Sequence, residues 1–242
     1  MAEAAKKIAL VTGAGTGVGR AASLALMNSG FTVVLAGRRK EMLEETAKLG
    51  PSGMSLPVSA DMTDPASIAA LFDTVKSTYG RLDVLFNNAG IGGGGSLFTN
   101  SREQWERTFN ICWGGVYLGV RTFLPLLLKA DEAHIVNTSS VNGFWASVGM
   151  GVSHTAYSAA KFAVKGFTEA LINDLRLNAP HVKCSVVMPG HIGTSILSNS
   201  RKVQSGTESD ELSETEIALA RQRMKGMGID VAAMSDQDIQ NA

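Results

Sequence analysis

The sequence predicts a single α/β domain built on a doubly wound parallel sheet with helices on both faces. Three observations carry that expectation. Short apolar runs, such as residues 8–11 and 82–86, alternate with longer stretches of helical periodicity, which is the beat of βαβ units. The first run opens directly into a glycine-rich turn between Thr12 and Gly19. Several runs end in polar or glycine-bearing segments: Asp61, Asn87-Asn88-Ala89-Gly90, Ser139-Ser140 and Pro189-Gly190. Those segments would gather at the strands' carboxyl ends, where open parallel sheets bind their ligands.

Composition sets the outer bounds. The chain has 242 residues, 45% apolar and 18% charged, as an ordinary globular protein does. Lysine plus arginine equals aspartate plus glutamate at 22 each, so no charge imbalance recruits nucleic acid or an anionic membrane. Cys112 and Cys184 fall in a helical and a strand pattern. With no signal peptide evident, reduced core thiols and a cytoplasmic location are expected. No apolar run approaches membrane-spanning length, no metal site is expected, and internal repeats are absent.

Taken in order, residues 8–11 form a strand buried on both faces. A helix over 20–28 follows the glycine turn and stops at Ser29-Gly30. A glycine turn between strand and helix N-terminus is a diphosphate cradle: the glycines admit the anion to the backbone, and free N–H groups face it. Its placement favours this over a merely flexible loop. The second strand, 31–36, ends at Gly37-Arg38-Arg39, about 24 residues after Gly13. Dinucleotide sites read the adenosine ribose there, an acid binding the 2′-hydroxyl and an arginine accepting a 2′-phosphate. Glycine followed by two arginines points to NADP rather than NAD. The bland alternative is a solvated helix start.

A helix over 41–49, a strand over 54–58 and the Asp61 loop come next. Asp64-Pro65 then opens a helix to Tyr79, with Asp64 as N-cap and proline at the first helical position. The fourth strand, 82–86, ends at Asn87-Asn88-Ala89-Gly90. Gly92 to Gly95 with Ser96 reads as a short flexible linker. Ser101-Arg102-Glu103-Gln104 is a capping box opening one long helix to Leu127. Strands are expected over 135–138 and 182–187, with an irregular segment from Val141 to His154 and a helix from Thr155 to Asn178. The tail beyond Thr194 is polar, serine-rich and helical only in pieces. Ser213-Glu214-Thr215-Glu216 and Ser235-Asp236-Gln237-Asp238 are its helix starts.

The chemistry centres on Tyr157 and Lys161. Four apart on a helix, they share one face. A cation about 4 Å away stabilises a phenolate by roughly 4 kcal/mol at an effective dielectric near 20, so the pair can serve as a general acid/base.

These parts, in this order and spacing, resemble the short-chain dehydrogenase/reductase (SDR) family, with its Rossmann-type fold, over about residues 6 to 195. The resemblance implies that Tyr157 protonates a carbonyl oxygen, or deprotonates an alcohol, as hydride moves to or from a nicotinamide. Lys161 would assist the phenol and hold the nicotinamide ribose. Ser140, rather than Ser139, would hydrogen-bond the substrate oxygen, and Asn110 would link the lysine through water to a proton relay. The turn, Gly13, Thr16, Gly17, Val18 and Gly19, would hold the diphosphate. Arg38 and Arg39 would meet the 2′-phosphate, Asp61 and Met62 the adenine, Asn88 the ribose, and Ile192 and Thr194 the carboxamide. Plainer roles stand beside these: Asn110 as a helix cap or kink, Ser140 as a turn former, Asp61 as an N-cap. Three departures accompany the match. Thr16 stands where many NADP-dependent members carry a basic residue, the linker at Gly92 to Ser96 replaces a less repetitive loop, and the family's seventh strand is missing.

Residues 1–195 are thus expected to form the cofactor-binding and catalytic core, and 196–242 lid helices of the same domain. The activity expected is oxidoreduction between NADP(H) and a medium or bulky hydrophobic ketone or secondary alcohol, with Phe144, Trp145 and Met150 as pocket candidates. Phe144 and Trp145 could equally be core or subunit contacts. The alternatives are a 3-oxoacyl-thioester reductase and a non-catalytic NADP-binding regulatory subunit. Surplus apolar positions on the helices around 101–127 and 155–178 lead to an expected homodimer or homotetramer.

Overall fold

In a computed structural model of the chain, residues 6–92, 95–146, 153–190, 192–205, 214–226, 228, 230–232 and 234–241 are described. Strand β1, Ile8–Thr12, is buried at every residue. It pairs in parallel with β2, Thr32–Gly37, on one side and with β4, Val84–Asn87, on the other. Beyond β2 lies β3, Ser55–Ser59; beyond β4 lie β5, Ala133–Thr138, and β6, Val182–Val187. The order β3-β2-β1-β4-β5-β6 is all parallel. It reverses between β1 and β4, and the carboxyl ends of those two strands therefore open a crevice.

Alternation along β1 and β2 sends side chains to two apolar layers. Ala9, Val11, Val33 and Leu35 pack with Met27 and Leu43, from helices α1 (Gly17–Asn28) and α2 (Lys40–Leu49). Ile8, Leu10 and Val34 pack on the opposite face with Leu71, Phe123 and Leu175. Those come from α3 (Pro65–Tyr79), α5 (Gly115–Leu127) and α6 (Thr155–Asn178). Each such side chain, fully buried, contributes about 1.5–3 kcal/mol of transfer free energy.

The helix signals act as their chemistry requires. Asp64 accepts hydrogen bonds from the amides of Ala66 and Ser67 ahead of Pro65, and Gly80 ends α3 at a φ of 70°, a left-handed conformation that costs glycine little. Ser101 and Gln104 cap each other across the start of α4, Arg102–Phe109. The single helix expected from Ser101 to Leu127 is, however, interrupted. Asn110–Gly114 forms a π-helical turn between α4 and α5, with the Gly115 amide donating to the Asn110 carbonyl. The Gly114-Gly115 pair lies where α5 approaches the Asp61–Met62 loop; a Cβ on Gly115 would stand 3.4 Å from Met62.

The tail holds more helix than its composition suggests. Helix α7, Ile196–Ser205, follows directly on Thr194. Helix α8 spans Glu214–Gly226, and its expected cap Ser213 lies outside the described residues. Ser235 and Asp238 cap each other at the start of α9, Asp236–Asn241. Arg221 of α8 binds the Val231 and Met234 carbonyls and the Asp236 carboxylate. Among the described residues no seventh strand covers β6, which remains an edge. No described helix is long and apolar enough to cross a membrane.

Candidate active site

At the carboxyl end of β1 the chain turns through Gly13, whose φ is 68°. A side chain there would meet Ala89 at 3.0 Å, and one on Gly19 would stand 2.2 Å from the Gly13 carbonyl oxygen. The turn thus brings α1 against β1 with backbone alone. Thr12 locks it to β4: its hydroxyl accepts from the amides of Asn88 and Ala89 at 2.9 and 3.0 Å, while the Asn88 side chain donates to the Thr12 carbonyl. Thr16, the N-cap of α1, makes no side-chain cap, so the N–H groups of that first turn have no side-chain acceptor of their own. Gly17, at a φ of 52°, lies against Thr194.

One cleft of about 800 Å³ runs along these strand ends. At one end it is lined by Arg38, Arg39, Asp61 and Met62, at the other by Ser140, Tyr157, Lys161, Ile192 and Thr194, with the glycine turn and Asn88 between. Both arginines are exposed, and the Ser59 hydroxyl fixes the turn by donating to the Arg38 carbonyl at 3.0 Å. Asp61 is not a helix cap. Its carboxylate accepts from the amide and hydroxyl of Thr63, and Asp64 caps α3 instead.

At the other end, Lys161 is only 4% exposed. Its ammonium donates to the Thr138 carbonyl at 2.9 Å and lies 5.6 Å from the centre of the Tyr157 ring. A buried ammonium needs such partners, since its desolvation is costly. The two adjacent serines divide their work. The Ser139 hydroxyl donates to the Lys161 carbonyl at 2.7 Å and ties β5 to α6, whereas the Ser140 hydroxyl accepts from the Asn142 amide and borders the cleft. Gly143 permits the contact, because a Cβ there would stand 2.6 Å from the Lys161 carbonyl oxygen. His154, at the N-cap of α6, has its ring 6.2 Å from that of Tyr157. Burial pushes its pKa below the usual imidazole value.

Asn110 ends α4 and opens the π-turn; it is exposed and borders a side recess. Wider than an α-turn, the π-turn changes which side chains face inward. Ile111 lines the cleft, and Cys112, fully buried, donates its thiol to the Ile91 carbonyl at 3.3 Å. Phe144 and Trp145 are 66% and 71% exposed and so are not core; Met150 lies outside the described residues.

The sequence matches the short chain dehydrogenase family over residues 7–205. The chain is a member of the short-chain dehydrogenase/reductase family. It is 35% identical over 196 residues to a putative oxidoreductase, SadH, of Mycobacterium tuberculosis, covering 80% of this chain and 69% of that one. An uncharacterized oxidoreductase of Staphylococcus saprophyticus is 30% identical over 219 residues, covering 89% and 87% of the two chains. Among solved structures, an SDR of Burkholderia phymatum in complex with NAD matches with a TM-score of 0.77 at 32% identity, over all of this chain and 85% of that one. A metagenomic short-chain oxidoreductase in complex with NADP matches with a TM-score of 0.68 at 33% identity, covering 77% and 83%.

In this SDR the cleft is also lined by α7, within the stretch expected to hold lid helices, although no cap signal marked its start. Ser200 of α7 is 3% exposed; its hydroxyl accepts from the Gly92 amide at 2.6 Å and donates to the Ile196 carbonyl. Arg107 of α4 donates to the Val203 carbonyl at 3.3 Å. Serine at position 200 looked like a polar tail residue, and only its spacing from Ile196 and Val203 hinted at a face turned inward.

Proposed function

We propose that this oxidoreductase transfers hydride between NADP(H) and a medium or bulky hydrophobic ketone or secondary alcohol. The observation that carries the reading is one cleft holding Tyr157, Lys161 and Ser140 at one end and Arg38 at the other, with a glycine turn between. That arrangement fits a dinucleotide: the uncapped N-terminus of α1 faces the middle of the cleft, where a diphosphate needs donors. When bound, the cofactor supplies or accepts the hydride at the substrate carbon.

The chain's own residues do the rest. Gly13, Thr16, Gly17, Val18 and Gly19 hold the diphosphate by backbone N–H groups. Arg38, with Arg39 beside it, pairs with a 2′-phosphate, for which Gly37 offers no opposing acid. Asp61 and Met62 flank the adenine, Asn88 the ribose, and Ile192 and Thr194 the carboxamide. Lys161, anchored on the Thr138 carbonyl, keeps its remaining N–H donors for the nicotinamide ribose and for the Tyr157 oxygen. Ser140 orients the substrate oxygen, and Tyr157 gives it a proton in reduction or takes one in oxidation. Ile192 and Ile196, 47% and 40% exposed, together with Phe144 and Trp145, supply apolar surface that suits a hydrophobic substrate. Residues 196–242 belong to this reading as the cover of the core formed by 1–195. Two free thiols fit a reducing, cytoplasmic setting.

A paired turnover screen tests the proposal: NADPH and NADH, each with aliphatic, aryl and acyl-thioester ketones. Faster turnover with NADPH on bulky apolar ketones is expected. Turnover confined to NADH, or to thioesters, would contradict it.

A further inference from the structure

The glycine stretch ahead of α4, expected to be a short linker, is docked at its far end; Gly93 and Gly94 lie outside the described residues. Gly95 turns at a φ of 104°, in the region that favours glycine, and a Cβ on it would stand 2.5 Å from the Ala156 amide nitrogen. Its backbone therefore rests on the first turn of α6. Asn100 holds the loop there. Its side-chain oxygen accepts from the Gly95 and Ser96 amides at 3.3 and 2.9 Å, and its side-chain nitrogen donates at 3.1 Å to Gln104, a member of the capping box of α4. Thr155, the first residue of α6, joins the two helices to this loop. Its hydroxyl donates to the Gly95 carbonyl and accepts from the Trp105 indole N–H at 3.0 Å. Trp105 stacks on Phe109 with ring centres 5.6 Å apart, and Phe109, like Tyr157, packs against the cluster of Ile91, Cys112 and Ala160.

We infer that Thr155 and Trp105 are positioning residues for Tyr157: with the Gly95 carbonyl they clamp the first turn of α6 and so set where the phenol stands. This rests on the proposed role of Tyr157 in proton transfer. The clamp matters because His154, the N-cap of α6, makes no side-chain cap. Helix ends without such partners fray, and Tyr157 lies in that end, two residues beyond Thr155. Lys161 is a turn further in, buried and tied to the Thr138 carbonyl, and does not depend on the clamp. Cofactor binding through Lys161 and the glycine turn should therefore survive its loss. Proton transfer should not, since a displacement of about 1 Å at a reacting group can cost about 100-fold in rate. A hydroxyl suits position 155 because it donates and accepts at once. Glycine suits position 95 because any side chain would push the loop off α6.

The test separates position from folding. Thr155→Val removes both hydrogen bonds, Thr155→Ser keeps the hydroxyl, and Trp105→Phe keeps a ring against Phe109 without the indole donor. For each variant, turnover of the best ketone, NADPH affinity by fluorescence titration and a thermal melt are measured. Thr155→Val should lose about ten-fold or more in kcat, with NADPH affinity within about two-fold of wild type. Thr155→Ser should recover most of that loss, and Trp105→Phe should lose less than Thr155→Val. Hydrogen exchange read by mass spectrometry needs no catalysis: amides at the start of α6 should exchange faster in Thr155→Val, with those of β1 and β5 unchanged. Wild-type kcat in Thr155→Val, a serine variant as slow as the valine one, an equal loss of NADPH affinity, or unchanged exchange at that turn each overturns the inference alone. Tyr157→Phe with wild-type turnover overturns the catalytic reading and the inference with it. If the melt shows Thr155→Val unfolded, Trp105→Phe decides by the same measures: slower turnover with intact NADPH affinity supports the clamp, and wild-type turnover overturns it.

Discussion

The proposed preference for NADP(H) rests on a single side chain, Arg38. It lies at the carboxyl end of β2, exposed, with its carbonyl held by Ser59 and no acid at Gly37 beside it. A charge-assisted pair with a 2′-phosphate is worth about 1.5–3 kcal/mol. Exposure to solvent pulls the value toward the lower end. Arg38→Ala should therefore weaken NADP(H) by roughly ten-fold or somewhat more, and leave NAD(H) nearly unchanged, when both are titrated by fluorescence. Equal losses for the two cofactors would mean that Arg38 shapes the turn rather than reads the phosphate. In the proposed reading Thr16, where a basic residue would add a second phosphate contact, leaves the 2′-phosphate to Arg38 and its neighbour Arg39.

At the scale of elements, the strands and most helices were legible because their signals are local. Asp64-Pro65 and Ser101 with Gln104 satisfy amides within three residues of themselves, and β1 and β2 announce burial by continuous apolar runs. The π-turn at Asn110–Gly114 was legible only as far as a kink at Asn110; Gly115, just beyond it, lies close to Met62, a contact between residues far apart in sequence. The start of α7 carried no cap signal, and its docking is partly polar: Ser200 accepts from the Gly92 amide, while Val203 packs against the cluster of Ile91, Cys112 and Ala160. The pairing of β5 with β6 carries a prediction of its own. His134 of β5 shares a 2.8 Å hydrogen bond with Ser185 of β6, and burial lowers its pKa from 6.5. The unfolded chain therefore binds a proton more readily than the folded one. Stability is full above about pH 6.5 and falls as pH drops toward the lowered folded value. Denaturant midpoints should shift down between about pH 7.5 and pH 5 in wild type, and shift less in His134→Gln. An identical shift in both proteins would remove His134 as a cause.

Across the whole molecule, an aromatic band lies on the outer side of the helices that flank the site. Trp113 stacks on Tyr117 with ring centres 5.9 Å apart, both meet Phe167 edge-on, and Tyr117 and Phe162 remain 43% and 44% exposed. Val116, Val120, Val164 and Leu171 of the same helices are spent on the core, and Phe167 and Trp113 pack against its clusters, which leaves the exposed faces of Tyr117 and Phe162 as surplus. We propose that a second copy covers it around a two-fold axis, each subunit burying the same patch. Light scattering should give a dimer or tetramer at micromolar concentration, and Tyr117→Lys with Phe162→Glu should shift it to monomer; a wild-type monomer would refute the pairing. The edge of β6, which has no outer neighbour among the described residues, is a separate matter, since unpaired strand edges invite further pairing. The central proposal concerns the chemistry in the cleft at the sheet's switch point: Tyr157 moves the proton that accompanies hydride transfer. The most direct measurement compares NADPH oxidation by wild type and by Tyr157→Phe with the best ketone of the screen, alongside cofactor affinity in both proteins. A loss of turnover by at least about 100-fold, the scale of general acid catalysis, with unchanged NADPH affinity, is predicted. Turnover within a few-fold of wild type would contradict the account.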